Sequence, residues 1–313
     1  NIKGQFILLF LFQLGGIGII SFATFFATFM KKGLGLKHQS MMQELFDNES
    51  LMGTVSLLRK IIIYTIAIEF MSFVLIYSFW GDYYFSTTGQ KIFYSIFHAV
   101  SAFCNAGFAL FSEGLYTADI RYNYLLHIAI GITIVFGSLG FPAIRDIFDL
   151  QNIRERINKP WKRWKLSTQI AVYASVVLII FGAVMFYFLE QRGTLAEQQV
   201  MPAIITSIFQ SVTSRTAGFN TVDFSLIGTP MLMIFIFLMF VGSSSGSTGG
   251  GIKTSTFVVA FSAIIATVTG KRSVTLGRRT ISKELIFKAF AIFIFSAMYI
   301  FISVVILTIC EPK

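Results

Sequence analysis

Long apolar runs alternate with short polar connections along the chain. The runs lie at Ile2–Met30, Ile61–Phe79, Tyr122–Phe141, Ser167–Leu189, Pro230–Gly270 and Leu285–Ile309. Most approach the roughly 20 apolar residues that a helix needs to cross the hydrocarbon core of a bilayer. The pattern predicts six transmembrane helices. The first run is too long for a secretory leader and has no basic stretch before it, so it reads as a span. The fifth is too long for one plain span and is interrupted in its middle.

Composition agrees. Of 313 residues, 55% are hydrophobic and 13% are charged, and the mean hydropathy is +0.74. A soluble domain carries about 25% charged residues, so this chain cannot coat a globule with enough polar surface. Its apolar content also excludes disorder. The two cysteines, Cys104 and Cys310, exclude a disulfide framework. The 36 phenylalanines suit a lipid-facing surface.

The net charge of +10 resolves into an orientation signal. The connections after the first, third and fifth runs carry five, seven and six lysines and arginines, whereas the remaining connections and both ends carry six in all. The positive-inside rule places the three basic connections in the cytoplasm and both chain ends outside. Acidic residues show no such bias. Orientation accounts for the basic excess, so no nucleic-acid partner is expected. Trp80, Trp161 and Trp164 fall at the predicted interfaces, where aromatic belts occur.

Two outward connections repeat one another. Ser95-Ile96-Phe97-His98-Ala99-Val100-Ser101 and Ser207-Ile208-Phe209-Gln210-Ser211-Val212-Thr213 share S-I-F-x-x-V-[ST]. Asn105-Ala106-Gly107-Phe108 and Thr216-Ala217-Gly218-Phe219 follow and share A-G-F, with the two glycines 111 residues apart. Each apolar stretch is too short to span, which suits a re-entrant half-helix ending in a turn. Non-helical backbone at membrane depth must be buried in protein or line a watery cavity. Turns of this kind present carbonyl groups that replace the hydration shell of a cation. An interfacial loop with incidental glycine is the plainer alternative for one copy; two matching copies favour the filter.

Gly242-Ser243-Ser244-Ser245-Gly246-Ser247-Thr248-Gly249-Gly250-Gly251-Ile252-Lys253 interrupts the fifth run. Five glycines in ten residues make poor helix. The phosphate-loop pattern fails, because Ile252 stands where a glycine must precede the lysine. A broken helix at mid-membrane marks a transport path; small residues also suit a close-packed helix contact. On the gate reading, alanines at Gly249–Gly251 change flux without loss of assembly.

These residues, with Gln13-Leu14-Gly15-Gly16-Ile17-Gly18-Ile19, carry a resemblance to the Trk/Ktr/HKT superfamily of potassium transporters. The chain is most similar to the bacterial Ktr/Trk-type membrane subunit, and the resemblance covers essentially its whole length. It implies an all-α membrane protein in which repeated helix, pore-helix and helix units surround a pseudo-fourfold ion pore. The implied parts are an inner helix of the first repeat with a cytoplasmic loop (1–60), a second repeat with a filter loop (61–165), a third with a filter loop and gating loop (166–283), and an outer helix of the fourth (284–313). Gly107 and Gly218 correspond to filter glycines, flanked by Asn105, Ala106, Phe108, Thr216, Ala217 and Phe219. The gating loop corresponds to Gly242–Lys253, with Gly242, Ser243, Gly246, Ser247, Thr248, Gly249, Gly250, Gly251 and Lys253 as its principal residues. The resemblance further implies K⁺ as the transported ion, Na⁺ as a coupling or activating ion, no covalent cofactor, a homodimer in membrane lipid, and a cytosolic nucleotide-binding regulatory subunit. The filter loops expected of a first and a fourth repeat are missing from the sequence, as is a last inner helix. Two of four filter walls are therefore expected, with no conduction by this stretch alone.

Glu69 lies within the second run, where a carboxylate is costly and calls for a helix-contact or a functional explanation. Lys253 is placed to donate to carbonyls of the gate. Arg215 either braces its turn or is solvated at the outer mouth, and Asp223 and Glu113 either concentrate cations there or are simply solvated. His98 and His127 lack metal-ligand spacing, and Cys104 reads as a small buried residue. A membrane enzyme would need convergent catalytic groups in the spans, and only Glu69 and Lys253 occur there. The competing class is a secondary transporter of an organic solute that binds at the broken fifth helix.

Overall fold

The computed structural model describes residues 2–29, 54–80, 85–159, 161, 163–271, 273–277 and 279–311, with backbone alone at 17–29 and 54–58. The first basic connection, with Lys31, Lys32 and Lys37, lies outside the described residues. Eleven α-helices account for most of the described chain: α1 (Ile2–Phe29), α2 (Thr54–Phe79), α3 (Thr88–Phe103), α4 (Tyr124–Leu139), α5 (Phe141–Phe148), α6 (Leu150–Asn158), α7 (Leu166–Leu189), α8 (Val200–Ser214), α9 (Thr229–Phe240), α10 (Thr254–Val268) and α11 (Lys283–Cys310). Among the described residues the only sheet is a two-stranded ribbon, Thr275–Leu276 against Arg279–Thr280.

The stretches Arg59–Phe79, Leu166–Leu189 and Lys283–Cys310 are each long and apolar enough to cross a membrane. Helices α4 and α5 together pass the same test, although they are bent by 102° at Gly140. Helices α9 and α10 are the two halves of the predicted fifth span. Apolar side chains on α11 point away from the protein: Phe295 and Phe301 are 71% and 70% exposed. Water would penalise such a face, and lipid does not.

The order helix, short helix, turn, helix occurs twice, as α2–α3–α4 and as α7–α8–α9 followed by α10. Residues of both units share one core. Ile76, Trp80, Leu126, Ile130 and Ile134 pack with Phe209, Val212, Ala217 and Phe219 of the second unit. Leu178, Phe186, Met231, Phe235 and Leu238 close the second unit on itself. Trp80 departs from the expected interfacial belt. It is fully buried, edge-on to Phe85 and His98 and tilted against Phe111. The connection after α3 folds back over it, which the local pattern does not disclose. Trp161 is exposed, as an interfacial residue would be.

The second basic connection is fixed by two acids. Asp146 accepts from Arg156 Nη2 at 2.7 Å and from the Lys165 N–H at 2.9 Å. Asp149 caps α6 through the Gln151 N–H and pairs with Lys60 at 3.2 Å. Burial alone would raise the Asp149 carboxyl, but the Gln151 N–H, Lys60 and Arg145 together hold it below the ordinary carboxylate value.

Candidate functional site

Helices α3 and α8 end in turns of the same construction. Asn105 and Gly107 have φ of +51° and +72°, and Thr216 and Gly218 have φ of +69° and +89°. Left-handed backbone two residues apart, once per copy, is a costly arrangement for Asn and Thr and the reason for glycine at the third position. The preceding helix holds each turn by the same two bonds. The Ala106 N–H donates to Ser101 O at 2.9 Å, and the Ala217 N–H to Thr213 O at 3.0 Å. The Ser101 hydroxyl donates to Phe108 O at 2.9 Å, and that of Thr213 to Phe219 O at 2.8 Å. The [ST] position of the repeat is thus a hydroxyl that closes the turn. Thr213→Val is expected to destabilise the turn by about 1 kcal/mol, the net worth of one hydrogen bond, and Ser101→Ala by about 2 kcal/mol, because Ser101 Oγ also accepts from the Phe108 N–H at 3.0 Å; each lowers Tm by a few degrees. Thermal unfolding in detergent checks this, and Thr213→Ser should restore the wild-type value.

The two turns meet backbone to backbone. A Cβ built on Gly107 would lie 2.3 Å from Ala217 O and 2.9 Å from Gly218 Cα. Among the described residues, no N–H or O–H donates to the carbonyl oxygens of Asn105, Ala106, Gly107, Thr216, Ala217 or Gly218. Ala217 is buried, Asn105, Ala106, Gly107 and Thr216 are half-buried, and Gly218 is exposed. Six carbonyls without a protein donor, gathered at two abutting turns, are oxygen ligands of the kind a cation takes up.

The broken segment, residues 241–253, is stitched to both turns. Thr248 Oγ1 donates to Phe103 O at 2.8 Å and accepts from Asn105 Nδ2 at 2.8 Å. The Thr248 N–H donates to Gly137 O at 3.3 Å. On the other side, the Gly250 N–H donates to Thr216 Oγ1 at 3.0 Å. The segment also sits in the bend between α4 and α5, where the Phe141 N–H donates to Gly246 O at 2.9 Å. Its own ends cross. The Ser243 N–H reaches Gly250 O, and the Ile252 N–H reaches Phe240 O. Lys253 Nζ donates to Gly249 O at 2.9 Å, the carbonyl role expected of it.

Other residues sort as follows. Arg215 is 2% exposed and its Nη2 donates to Gly242 O at 3.0 Å and Ser175 Oγ at 3.3 Å. A solvated position at the mouth is excluded, and the carbonyl it braces belongs to the broken segment. Glu69 accepts from Gln13 Nε2 of α1 at 3.1 Å, a helix contact. His98 and His127 bond to Tyr94 O and Ile120 O, and no metal-binding cluster of His, Cys, Asp and Glu occurs among the described residues. Cys104 is buried. Asp223 accepts from the Ser225 hydroxyl and N–H, which hold its carboxyl below the ordinary value. The Glu113 carbonyl accepts from Asn220 Nδ2 at 3.3 Å, tying the connections after α3 and α8 together. Residue types alone did not point to Asn105 and Thr216 as side-chain anchors. The signal available was a polar residue at the same place in each repeat copy.

Helical units repeated in a membrane, each with a half-helix and a carbonyl-rich turn, define an ion-transport fold. The chain belongs to the TrkH family of cation transport proteins, whose pattern matches residues 1–313. That family comprises membrane transporters and not enzymes. It is 31% identical to the Ktr system potassium uptake protein B of Bacillus subtilis, over 99% of this chain and 68% of the relative. It is 30% identical to the potassium/sodium uptake protein NtpJ of Enterococcus hirae, over 100% of this chain and 67% of the relative. The crystal structure of the potassium transporter TrkH from Vibrio parahaemolyticus shares the fold, with a TM-score of 0.66 and 18% identity. That match covers 97% of this chain and 59% of the TrkH chain.

Proposed function

We propose that the chain is the ion-translocating part of a potassium uptake transporter in the plasma membrane. The observation that carries this reading is the pair of abutting turns with six unpaired carbonyl oxygens. In this reading Asn105–Phe108 and Thr216–Phe219 are two walls of a selectivity filter. A K⁺ ion exchanges hydration water for their carbonyls, and the rigid hydroxyl clamps fix the size of the cage. Residues Gly242–Lys253 are the gating loop, because they bridge the path between the two walls by bonds to Asn105 and Thr216. Uptake runs inward, since an inside-negative potential favours a cation by about 2.3 kcal/mol per charge per 100 mV. The names of the relatives support potassium as cargo, and one relative is named for sodium as well.

The remaining assignments follow the same reading. The repeat boundaries are 1–60, 61–165, 166–283 and 284–313. The basic connections face the cytoplasm and are the surface for a regulatory subunit, in keeping with relatives named as part of a Ktr system. The transporter is a homodimer in lipid, with Na⁺ as a coupling or activating ion. A solute site at the broken helix is less well supported, because Thr248, Gly250 and Lys253 of the segment bond to the turns and to the segment itself, which leaves the buried Ser243 hydroxyl without a partner among the described residues.

The test is ion-dependent stability. A ligand that binds only the folded state stabilises it by RT ln(1 + [L]/Kd), about 2.7 kcal/mol at one hundred times Kd. The purified transporter in detergent is expected to show a Tm that rises with K⁺ and Rb⁺ more than with Na⁺ at constant ionic strength. Equal shifts for all three ions would sink the reading.

A further inference from the structure

Arg215 is a buried cation beside a proposed cation path, and among the described residues no carboxylate pairs with it. A charge so placed is costly unless its bonds compensate it. The guanidinium leaves the C-terminal end of α8 and reaches Gly242 O, the carbonyl at the entry of the broken segment. Its neighbour Thr216 accepts from the Gly250 N–H, near the exit of the same segment. Entry and exit are themselves joined, since the Ser243 N–H donates to Gly250 O at 3.1 Å. Two adjacent residues of one turn therefore grip both strands of the broken segment. Ser175 of α7 takes the second hydrogen bond of the guanidinium and fixes it against the helix behind.

We infer that Arg215 and Thr216 form a two-point latch that couples the Gly218 turn to the broken segment, so that gating displacement and ion selectivity change together. Arg215 acts here as a positioning residue: it touches no ion and works through the Gly242 carbonyl. The segment cannot move away from α8 without breaking a charge-assisted bond to one carbonyl and a bond to Thr216, whose backbone is itself part of the turn. Thr216 sits at φ +69°, a conformation that persists only when its surroundings hold it. Releasing the latch thus loosens the turn as well as the segment. This inference rests on the filter reading above.

The experiment uses the intact transporter in liposomes and measures ⁸⁶Rb⁺ and ²²Na⁺ flux for Arg215→Gln, Arg215→Lys and Thr216→Val. The expected result for Arg215→Gln is Rb⁺ flux raised and the Rb⁺/Na⁺ ratio lowered together, each by roughly tenfold, the size associated with one hydrogen bond to a charged group. Arg215→Lys, which can still reach the Gly242 carbonyl, is expected to recover both quantities in part. Thr216→Val keeps the shape but removes the acceptor for Gly250, and is expected to reproduce the paired change more weakly. It carries the test if Arg215→Gln does not assemble. A change in flux with an unaltered ratio, or the reverse, would overturn the coupling. The same assay on Gly107→Ala and Gly218→Ala separates the two claims. If both variants leave the ratio unaltered, the filter reading itself fails; if either lowers the ratio while the latch variants do not, only the latch fails.

Discussion

Alanine at Gly107 is expected to abolish discrimination between potassium and sodium, whereas alanine at Gly218 is expected to weaken it. Both glycines have left-handed backbone, so both substitutions carry a conformational cost of roughly 1–2 kcal/mol. The surroundings decide the difference. At Gly107 the new methyl group would stand 2.3 Å from the Ala217 carbonyl oxygen and 2.9 Å from Gly218 Cα. These are main-chain atoms of the facing turn, and no rotamer change relieves the overlap. The two turns must separate, and the carbonyl cage between them enlarges. At Gly218 the nearest atom is Gly107 Cα at 3.5 Å, an ordinary contact. Only the local strain remains there, so a fall in the K⁺/Na⁺ ratio of up to roughly tenfold is expected, corresponding to about 1.4 kcal/mol. Comparable loss in the two variants would place the distinction between the turns in doubt.

The second large effect concerns the broken segment. Gly242→Ala is expected to impair assembly, and Gly250→Ala to leave the protein folded. A Cβ on Gly242 would lie 1.9 Å from Gly250 O and 2.7 Å from Gly251 Cα, within the crossing of the segment's own ends. A Cβ on Gly250 would meet nothing closer than Thr216 Cγ2 at 3.9 Å. Gly249→Ala is also expected to disturb the segment, because its Cβ would lie 2.0 Å from the Ser243 hydroxyl and 2.7 Å from Ser243 Cβ, which side-chain rotation does not move. Gly251 resembles Gly242, since its Cβ would meet Gly242 backbone at 2.7 Å. The sequence-based expectation that alanines throughout Gly249–Gly251 alter flux and spare assembly therefore narrows to Gly250, with Gly251 excluded. Size-exclusion profiles and Tm of the purified variants distinguish these cases. Normal assembly of Gly242→Ala would contradict the crossing that the structure shows.

How far the sequence leads can be judged from particular residues. The apolar runs disclose the spans because membrane thickness imposes one length on them. The repeated S-I-F-x-x-V-[ST] and A-G-F locate both turns because each copy needs the same closing hydroxyl and the same left-handed glycine. The interruption after Gly242 is visible because glycine and serine oppose helix locally. Contacts between distant parts are not written in any local pattern. Arg215 and Gly242 are 27 residues apart, and Asn105 and Thr248 are 143 apart. Nothing in either neighbourhood names the other. The burial of Trp80 is hidden for the same reason, since a tryptophan at the end of a span serves equally for a lipid interface or for a lid packed from elsewhere. The third apolar run stops beside Gly140 and Pro142, but that local signal does not give the 102° angle between the two helices.

The central claim is that backbone carbonyls of the two abutting turns select the ion. Its most direct measurement is the ratio of K⁺ to Na⁺ flux in liposomes for the unmodified transporter, Gly218→Ala and Gly107→Ala. The filter reading predicts a ratio well above one, a reduced ratio, and a ratio near one, in that order. An unchanged ratio in both variants would contradict the claim and move selectivity away from the turns.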